Sequence, residues 1–302
     1  MPELPDVELY LAAFRPRIVG RQIERIRLAT PFLLRSVDPP LDAAAGRRVT
    51  GLRRIGKRIV WELEHELFLV FHLMIAGRFK HRDRGAPIPG KVGLAAFDFA
   101  DFTFLLTEAA TQKRASLHVV QGDAAIRAFD PGGLEVARHD ADTFAAVLQK
   151  ESHTLKRALT DPHLFSGIGN AYSDEILHRA RLSPFKQTRQ LTKTEIDLLR
   201  AAIVETLAEW TQRLQDEAGG TFPEKVTAFH GGMSVHGRFG KPCPRCGTPV
   251  QRIVHGEHEA NYCPTCQTEG RLLADRALSK LLREDWPKTV DELERHKRQR
   301  SG

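Results

Sequence analysis

This 302-residue chain has no long apolar run: Leu67 to Phe71 (LFLVF), the longest near its middle, is far too short to cross a bilayer. It also lacks the basic-then-apolar order of a secretory signal, because Glu3, Asp6 and Glu8 arrive first, so a cytoplasmic protein without a membrane partner is expected. Cysteine is missing from the first 242 residues; all four lie between 243 and 266, which argues against scattered disulfides. There is no internal repeat. What is present is ordinary for a globular protein, 41% hydrophobic and 27% charged, with length for roughly two domains. Lys and Arg exceed Asp and Glu by 45 to 38, a net +7. That excess favours a polyanionic partner, although many basic proteins bind no nucleic acid.

Along the chain, Val7 to Phe14 reads as one short helix bounded by Pro5 and Pro16. From Ile18 to about Phe104 apolar bursts of four to eight residues alternate with Gly, Pro and Asp turns, the pattern of a β-sandwich or barrel. A Gly- and Pro-rich boundary follows at Phe129 to Asp140, and beyond it the period is helical. Thr192 and Glu195 form a capping-box pattern ahead of a long helix, and Ala218 to Pro242 reads as a flexible, Gly-rich connection.

Three short stretches carry chemistry. Cys243 and Cys246 form one C-x-x-C and Cys263 and Cys266 another, 16 residues apart, the spacing by which a hairpin delivers four thiolates to one structural Zn²⁺. Redox dithiols are the competing reading; His255 and His258 lie between the knuckles as rival ligands. Gly167 and Gly169 flank Ile168 just before Asn170 opens an amphipathic helix, which suits close approach of a phosphate and equally suits a plain helix–helix turn. Pro2 directly follows Met1; with Met1 removed, its secondary amine could attack a sugar carbon to form a Schiff base, and the bland alternative is a processed terminus followed by a turn.

Taken together, PELPDVE at Pro2 to Glu8, GIGNAYSDEIL at Gly167 to Leu177 and VHGRFGKPC with its following cysteines resemble the formamidopyrimidine-DNA glycosylase / endonuclease VIII family, in order from residue 2 to about 266. The resemblance implies an α+β architecture: an N-terminal β-sandwich with an N-terminal helix, then a helix–two-turn–helix domain with a zinc β-hairpin, and DNA in the cleft between. The boundaries expected are 1–132, 133–230, 231–268 and a C-terminal extension, 269–302. It implies a base-excision glycosylase with AP lyase activity. In that scheme Pro2 is the nucleophile, Glu3 the acid/base, and Lys57 a catalytic β-turn lysine on the phosphate beside the lesion. The implied partner is double-stranded DNA with a damaged base or abasic site, bound by a monomer holding one structural zinc. Asn170, Gly167, Gly169 and His72 fall at family DNA contacts, and Asp6 stands where most members have Glu.

Three departures qualify the resemblance. His258 occupies the position where the family's zinc hairpin usually carries a phosphate-gripping arginine, and histidine lacks that bidentate fork. The side chains that fill the gap left by a flipped base are altered. Ile75 takes the usual methionine position, as a wedge or as a core residue, and Lys113 or Arg114 is left as the cationic finger in EAATQKRASLHVV. The loop from Gly219 to Gly237 is shorter than in the 8-oxoguanine-specific branch, so lesion preference stays open. The alternatives are a damaged-DNA-binding protein of the same fold with little or no chemistry, and a zinc-ribbon module, which leaves Pro2 and the glycine turn unexplained.

Overall fold

The computed structural model describes residues 1–227, 229–255, 258–274, 287–293 and 295. The chain forms two compact units, one of residues 1–133 with 207–228 and the other of residues 134–206 with the C-terminal part. The 133–230 segment drawn from the sequence is thus divided, its last part clustering with the N-terminal unit.

The first unit opens with helix α1, Leu4–Ile18, longer at both ends than the proline positions suggested. Pro5 sits in the first turn, where a backbone N–H has no intrahelical acceptor, so its missing donor costs little. Pro16 lies in the last turn, where the Arg17 guanidinium caps the Ala13 carbonyl at 2.7 Å. Eight strands follow: β1 Arg25–Leu28, β2 Val49–Ile55, β3 Arg58–Leu63, β4 Leu67–His72, β5 Gly77–Asp83, β6 Gly93–Asp98, β7 Phe102–Glu108 and β8 Ser116–Gln121. They make two antiparallel four-stranded sheets, ordered β1-β6-β7-β5 and β2-β3-β4-β8. The inner faces bury Trp61 and Phe71 from one sheet against Phe79, Phe97 and Phe104 from the other. Phe14 of α1 plugs this cluster edge-on, its ring 5.2 Å from Trp61 and 4.9 Å from Phe104. Each such ring pair adds about 0.5–1.5 kcal/mol beyond area burial. The β4 run LFLVF is buried on both faces, because Val60, Phe68, Val70 and Val120 form a second small core closed by Ile126 of α2, Asp123–Arg127. That double burial explains its unbroken apolar sequence.

The segment after the long helix is not a loose connection. Phe222 stacks into the first unit's core, 4.7 Å from Phe104 and 5.2 Å from Phe14, and the Arg82 guanidinium forks onto the Glu224 carboxylate. An aromatic ring and an ion pair outweigh the conformational freedom its glycines offer.

The second unit contains α3 (Ala141–Gln149), α4 (Leu155–Thr160), α5 (Asn170–Ala180) and the first part of α6 (Lys193–Ala218). The expected capping box is formed: Glu195 N–H donates to Thr192 Oγ1 at 3.3 Å and Thr192 N–H to Glu195 Oε2 at 3.0 Å. The hairpin β9 (Gln251–His255) and β10 (His258–Tyr262) leads into the short helix α7, Pro264–Thr268. Among the described residues no helix is long and apolar enough to cross a membrane.

Candidate active site and metal centre

The N-terminal end of α1 gathers charge. Pro2 and Glu3 are buried, and Glu3 is the helix N-cap, its N–H donating to Asp6 Oδ2 at 2.8 Å in a capping box. Asp6, despite its shorter reach, therefore spans to the backbone it anchors. The helix is held to the sheets by Phe79 N–H donating to Tyr10 Oη at 3.2 Å and by Arg54 Nε on Glu8 at 3.0 Å. The α-amine of Met1, adjoining Pro2, is less basic than usual. Burial is the main cause, with Arg78 and Lys57 acting in the same direction against the opposing carboxylates of Glu3 and Asp6. The positive end of the helix dipole lies at the same place.

Lys57 stands in the two-residue turn between β2 and β3, where Gly56 takes φ 57°. Burial lowers the Lys57 pKa and Glu3 opposes the shift; among the described residues the Lys57 Nζ forms no hydrogen bond. Nearby, His72 at the end of β4 is pushed down to about 4 by burial and then by Arg58, Lys57 and His118, so its ring is neutral at physiological pH. Its Nδ1 accepts the Met74 N–H at 3.2 Å, which leaves Nε2 as the protonated nitrogen.

Ile75 is 57% exposed, which excludes the core role that the sequence left open for it. It sits in a tight turn where Met74 has φ 51° and Gly77 N–H reaches the Leu73 carbonyl at 2.8 Å. A Cβ on Gly77 would lie 2.4 Å from that oxygen, so only glycine fits. Arg78, which the sequence reading passed over, clasps the turn through the carbonyls of Ile75 and Gly77 at 3.2 and 2.6 Å. Lys113 and Arg114 are drawn into their own loop. Lys113 Nζ bonds the Ala110 and Glu108 carbonyls, the Arg114 guanidinium bonds Gln112 Oε1 at 3.0 Å, and the buried Glu108 carboxylate accepts the N–H groups of Arg114 and Ala115. Glu108 is the organiser here, and nothing in its sequence neighbourhood signals that.

In the second unit Gly167 takes φ 78°, Ile168 is buried, and Gly169 caps α5, so Asn170 is the first helical residue. Lys156 Nζ holds this start through the Asn170 carbonyl at 2.7 Å and Asp174 Oδ1 at 2.5 Å. Two adjacent buried acids then join α5 to the chain before the cysteines. Asp174 Oδ2 also bonds His236 Nδ1 at 2.8 Å and Asn261 Nδ2 at 3.1 Å. Glu175 accepts three successive N–H groups, from Ser234, Val235 and His236, at 2.7, 2.9 and 2.9 Å. Burial raises the Glu175 pKa, and those three bonds pull against it. The sequence signal for this pair was an acidic dipeptide inside an otherwise apolar helix face.

The four cysteines form a cluster that could hold a metal ion. Their sulfurs lie within 4.8 Å of one another, with Cys246–Cys263 at 3.4 Å and Cys243–Cys266 at 4.0 Å. A tetrathiolate with Zn–S near 2.3 Å needs sulfur separations of about 3.8 Å, so the set fits. Cys243 and Cys263 are buried and Cys246 is exposed. Behind them His178 Nε2 lies 3.3 Å from Cys243 Sγ, Arg245 bonds the His178 carbonyl at 3.2 Å, and Gln267 bridges Cys263 N–H to the Leu182 carbonyl. Burial pushes His178 down to about 4, with Arg245 and Arg181 adding to the shift. His258 opens β10, but its side chain, with residues 256–257 and much of the 269–302 extension, lies outside the described residues.

Residues 1–120 match the family described as Formamidopyrimidine-DNA glycosylase N-terminal domain, residues 131–218 its H2TH domain, and residues 240–268 a zinc finger found in FPG and IleRS. The formamidopyrimidine-DNA glycosylase of Thermus thermophilus is 34% identical over 292 residues, covering 89% of this chain and 100% of the relative. That of Geobacillus kaustophilus is 32% identical, covering 88% and 100%. The structure of Lactococcus lactis FPG (MutM) with a FAPY-dG-containing DNA superposes with a TM-score of 0.79 at 27% identity, over 88% of this chain and 100% of that one. The same organism's protein, non-covalently bound to DNA with an AP site, gives 0.77 at 26%, over 88% and 99%.

Proposed function

The chain belongs to the formamidopyrimidine-DNA glycosylase family, and on that premise we propose that it is a base-excision DNA glycosylase that also cleaves the strand, working through the amine of Pro2. Removal of Met1 frees that amine. Its lone pair attacks C1′ of the damaged nucleotide, and the base leaves with the electrons of the glycosidic bond and takes up the proton that the amine nitrogen sheds. Glu3 delivers a proton to the ring oxygen as the C1′–O4′ bond opens, which leaves an iminium on Pro2. Loss of a C2′ proton expels the 3′ phosphate, and loss of a C4′ proton then expels the 5′ phosphate. Lys57 serves the phosphate beside the lesion. The observation that carries the reading is the placing of Pro2: it is buried beside Glu3, and the adjoining Met1 amine is made less basic by burial, with Arg78 and Lys57 acting in the same direction. An ordinary α-amine titrates near 8, and the same surroundings acting on the Pro2 amine once Met1 is gone would enlarge its neutral, nucleophilic share at pH 7.

The partner in this reading is duplex DNA with a damaged base or abasic site, taken up by a cytoplasmic, nucleoid-associated monomer. His72, Ile75, Lys113 and Arg114 contribute from the first unit, and Gly167, Gly169, Asn170 and His258 from the second. Cys243, Cys246, Cys263 and Cys266 hold one Zn²⁺ per chain. Four thiolates close its coordination, so it braces the hairpin and supplies no reactive position.

Borohydride trapping on a duplex with one abasic site tests the proposal, with wild type, Pro2→Gly and Glu3→Gln side by side. A covalent adduct mapped by mass spectrometry to Pro2, and diminished in Glu3→Gln, is expected. Absence of an adduct from protein that lacks Met1 and still binds the duplex transfers the assignment to a damaged-DNA-binding protein. That second reading is favoured by the internal bonds of Lys113 and Arg114, which occupy both candidate fingers.

A further inference from the structure

The outer face of the β2-β3-β4-β8 sheet ends in a row of basic side chains that continues beyond Lys57 and His72. In the sheet register Arg58 of β3 lies directly opposite His72 of β4, and His118 of β8 faces Val70, two residues along on the same face. Arg58 is fixed from behind: its Nη1 donates to the Phe129 carbonyl at 3.1 Å, and its guanidinium sits 5.8 Å from the Phe129 ring centroid. His118 packs edge-on against the same ring, at 4.9 Å. The two side chains thus share one aromatic support. Both are half-buried, and neither makes an ion pair among the described residues.

The acid whose charge acts on Arg58 is Asp130, whose Oδ1 accepts the Gly132 N–H at 2.9 Å. Electrostatic neighbours link the row end to end: the terminal amine with Lys57, Lys57 with His72, His72 with Arg58 and His118, and His118 with Arg35. Burial depresses Arg58 against the opposing charge of Asp130, and burial together with neighbouring cations depresses His72 and His118. The Arg58 guanidinium, without an ion-pair partner among the described residues and set beside two histidines able to donate hydrogen bonds, is a place an external polyanion can complete.

We propose that Arg58 and His118 are phosphate-binding residues, extending the DNA contact of Lys57 and His72 along the backbone on one side of the lesion. Strands β3 and β8 are two spacings apart, about 9.5 Å, wider than one phosphate group, so the row addresses at least two. Arg58 supplies the guanidinium fork and His118 a hydrogen-bond donor. The inference rests on the reading of the chain as a DNA glycosylase, but it concerns binding and needs no chemistry.

The test is fluorescence anisotropy on a duplex with a tetrahydrofuran abasic analogue over a range of salt, with wild type, Arg58→Gln, Arg58→Lys and His118→Gln. Loss of one phosphate contact flattens the slope of log affinity against log salt by about 0.9. Arg58→Gln is expected to show that change with an affinity loss of roughly ten-fold. Arg58→Lys should keep the slope while losing the fork geometry, and His118→Gln should weaken binding a few-fold. A support role for the Phe129 turn alone would not separate Gln from Lys by slope. Wild-type slope and affinity in all three variants overturns the inference while leaving the glycosylase reading intact. A wild type that fails to bind the duplex overturns both. Should Arg58→Gln not fold, Arg58→Lys and His118→Gln decide, and unchanged affinity in both overturns the inference.

Discussion

Charge is buried in both units, and each handles it in its own way. On α5, Asp174 and Glu175 between them accept from Lys156, His236, Asn261 and three backbone N–H groups. Every partner there is supplied by the protein, and the reward is a fixed junction between a helix and the chain leading to the metal. At the start of α1 the Met1 amine and the Lys57 ammonium are set beside Glu3 and Asp6, yet among the described residues Lys57 Nζ makes no hydrogen bond, and both cations are less basic than in water. Satisfied buried charge is scaffold. Desolvated charge left short of partners is poised for a substrate to complete.

Breaking the two regions in turn gives effects of descending size. Glu3→Gln should slow single-turnover base release or strand cleavage by about 10²–10⁴-fold while costing at most about 1 kcal/mol of stability as a changed N-cap; a large stability loss in urea melts would place Glu3 with the scaffold instead. Asp174→Ala should do the reverse, removing about 3–5 kcal/mol from the second unit by stranding Lys156 and His236. A denaturation midpoint within error of wild type would refute that. His178→Phe deletes the donor to the Cys243 sulfur and should weaken metal affinity about 10–100-fold, read by competition with a chromogenic chelator. The smallest effect sharpens the comparison most. In the proposed scheme the Pro2 amine acts when neutral, so strand cleavage would fall as pH drops through its pKa. Lys57 lowers the pKa of the adjoining Met1 amine; by the same charge effect on Pro2, Lys57→Gln should move the acidic limb of the pH–rate profile to higher pH, by less than about one unit. A shift to lower pH would contradict the charge arrangement described here.

The parts of the molecule legible in the sequence are those whose chemistry is written in local spacing. The paired C-x-x-C motifs bring their sulfurs together, and Gly167 takes the positive φ that its place before a helix calls for. The capping box at Thr192 is equally local. What stayed hidden depends on partners far away along the chain. Phe222 and Glu224 look like loop residues until Phe14, Phe104 and Arg82 arrive, more than a hundred residues distant. Arg78 looks like an exposed strand residue, and only the fold brings it beside the terminus. Lys113 and Arg114 offered cationic fingers on composition, but the buried carboxylate of Glu108 and nearby carbonyls claim that loop. Pro5 and Pro16 misled about helix length because a proline's cost depends on which turn it occupies.

The unequal burial of the four cysteines gives failure of the hairpin an order. Cys246 faces solvent, whereas Cys243 and Cys263 lie inside, the former covered by His178. An oxidant or electrophile therefore meets one thiolate first, and a single modification at 246 leaves three ligands and a loosened metal rather than a stripped site. The finger behaves as a fuse with one exposed wire, and alkylation mapped by mass spectrometry would find position 246 before the other three.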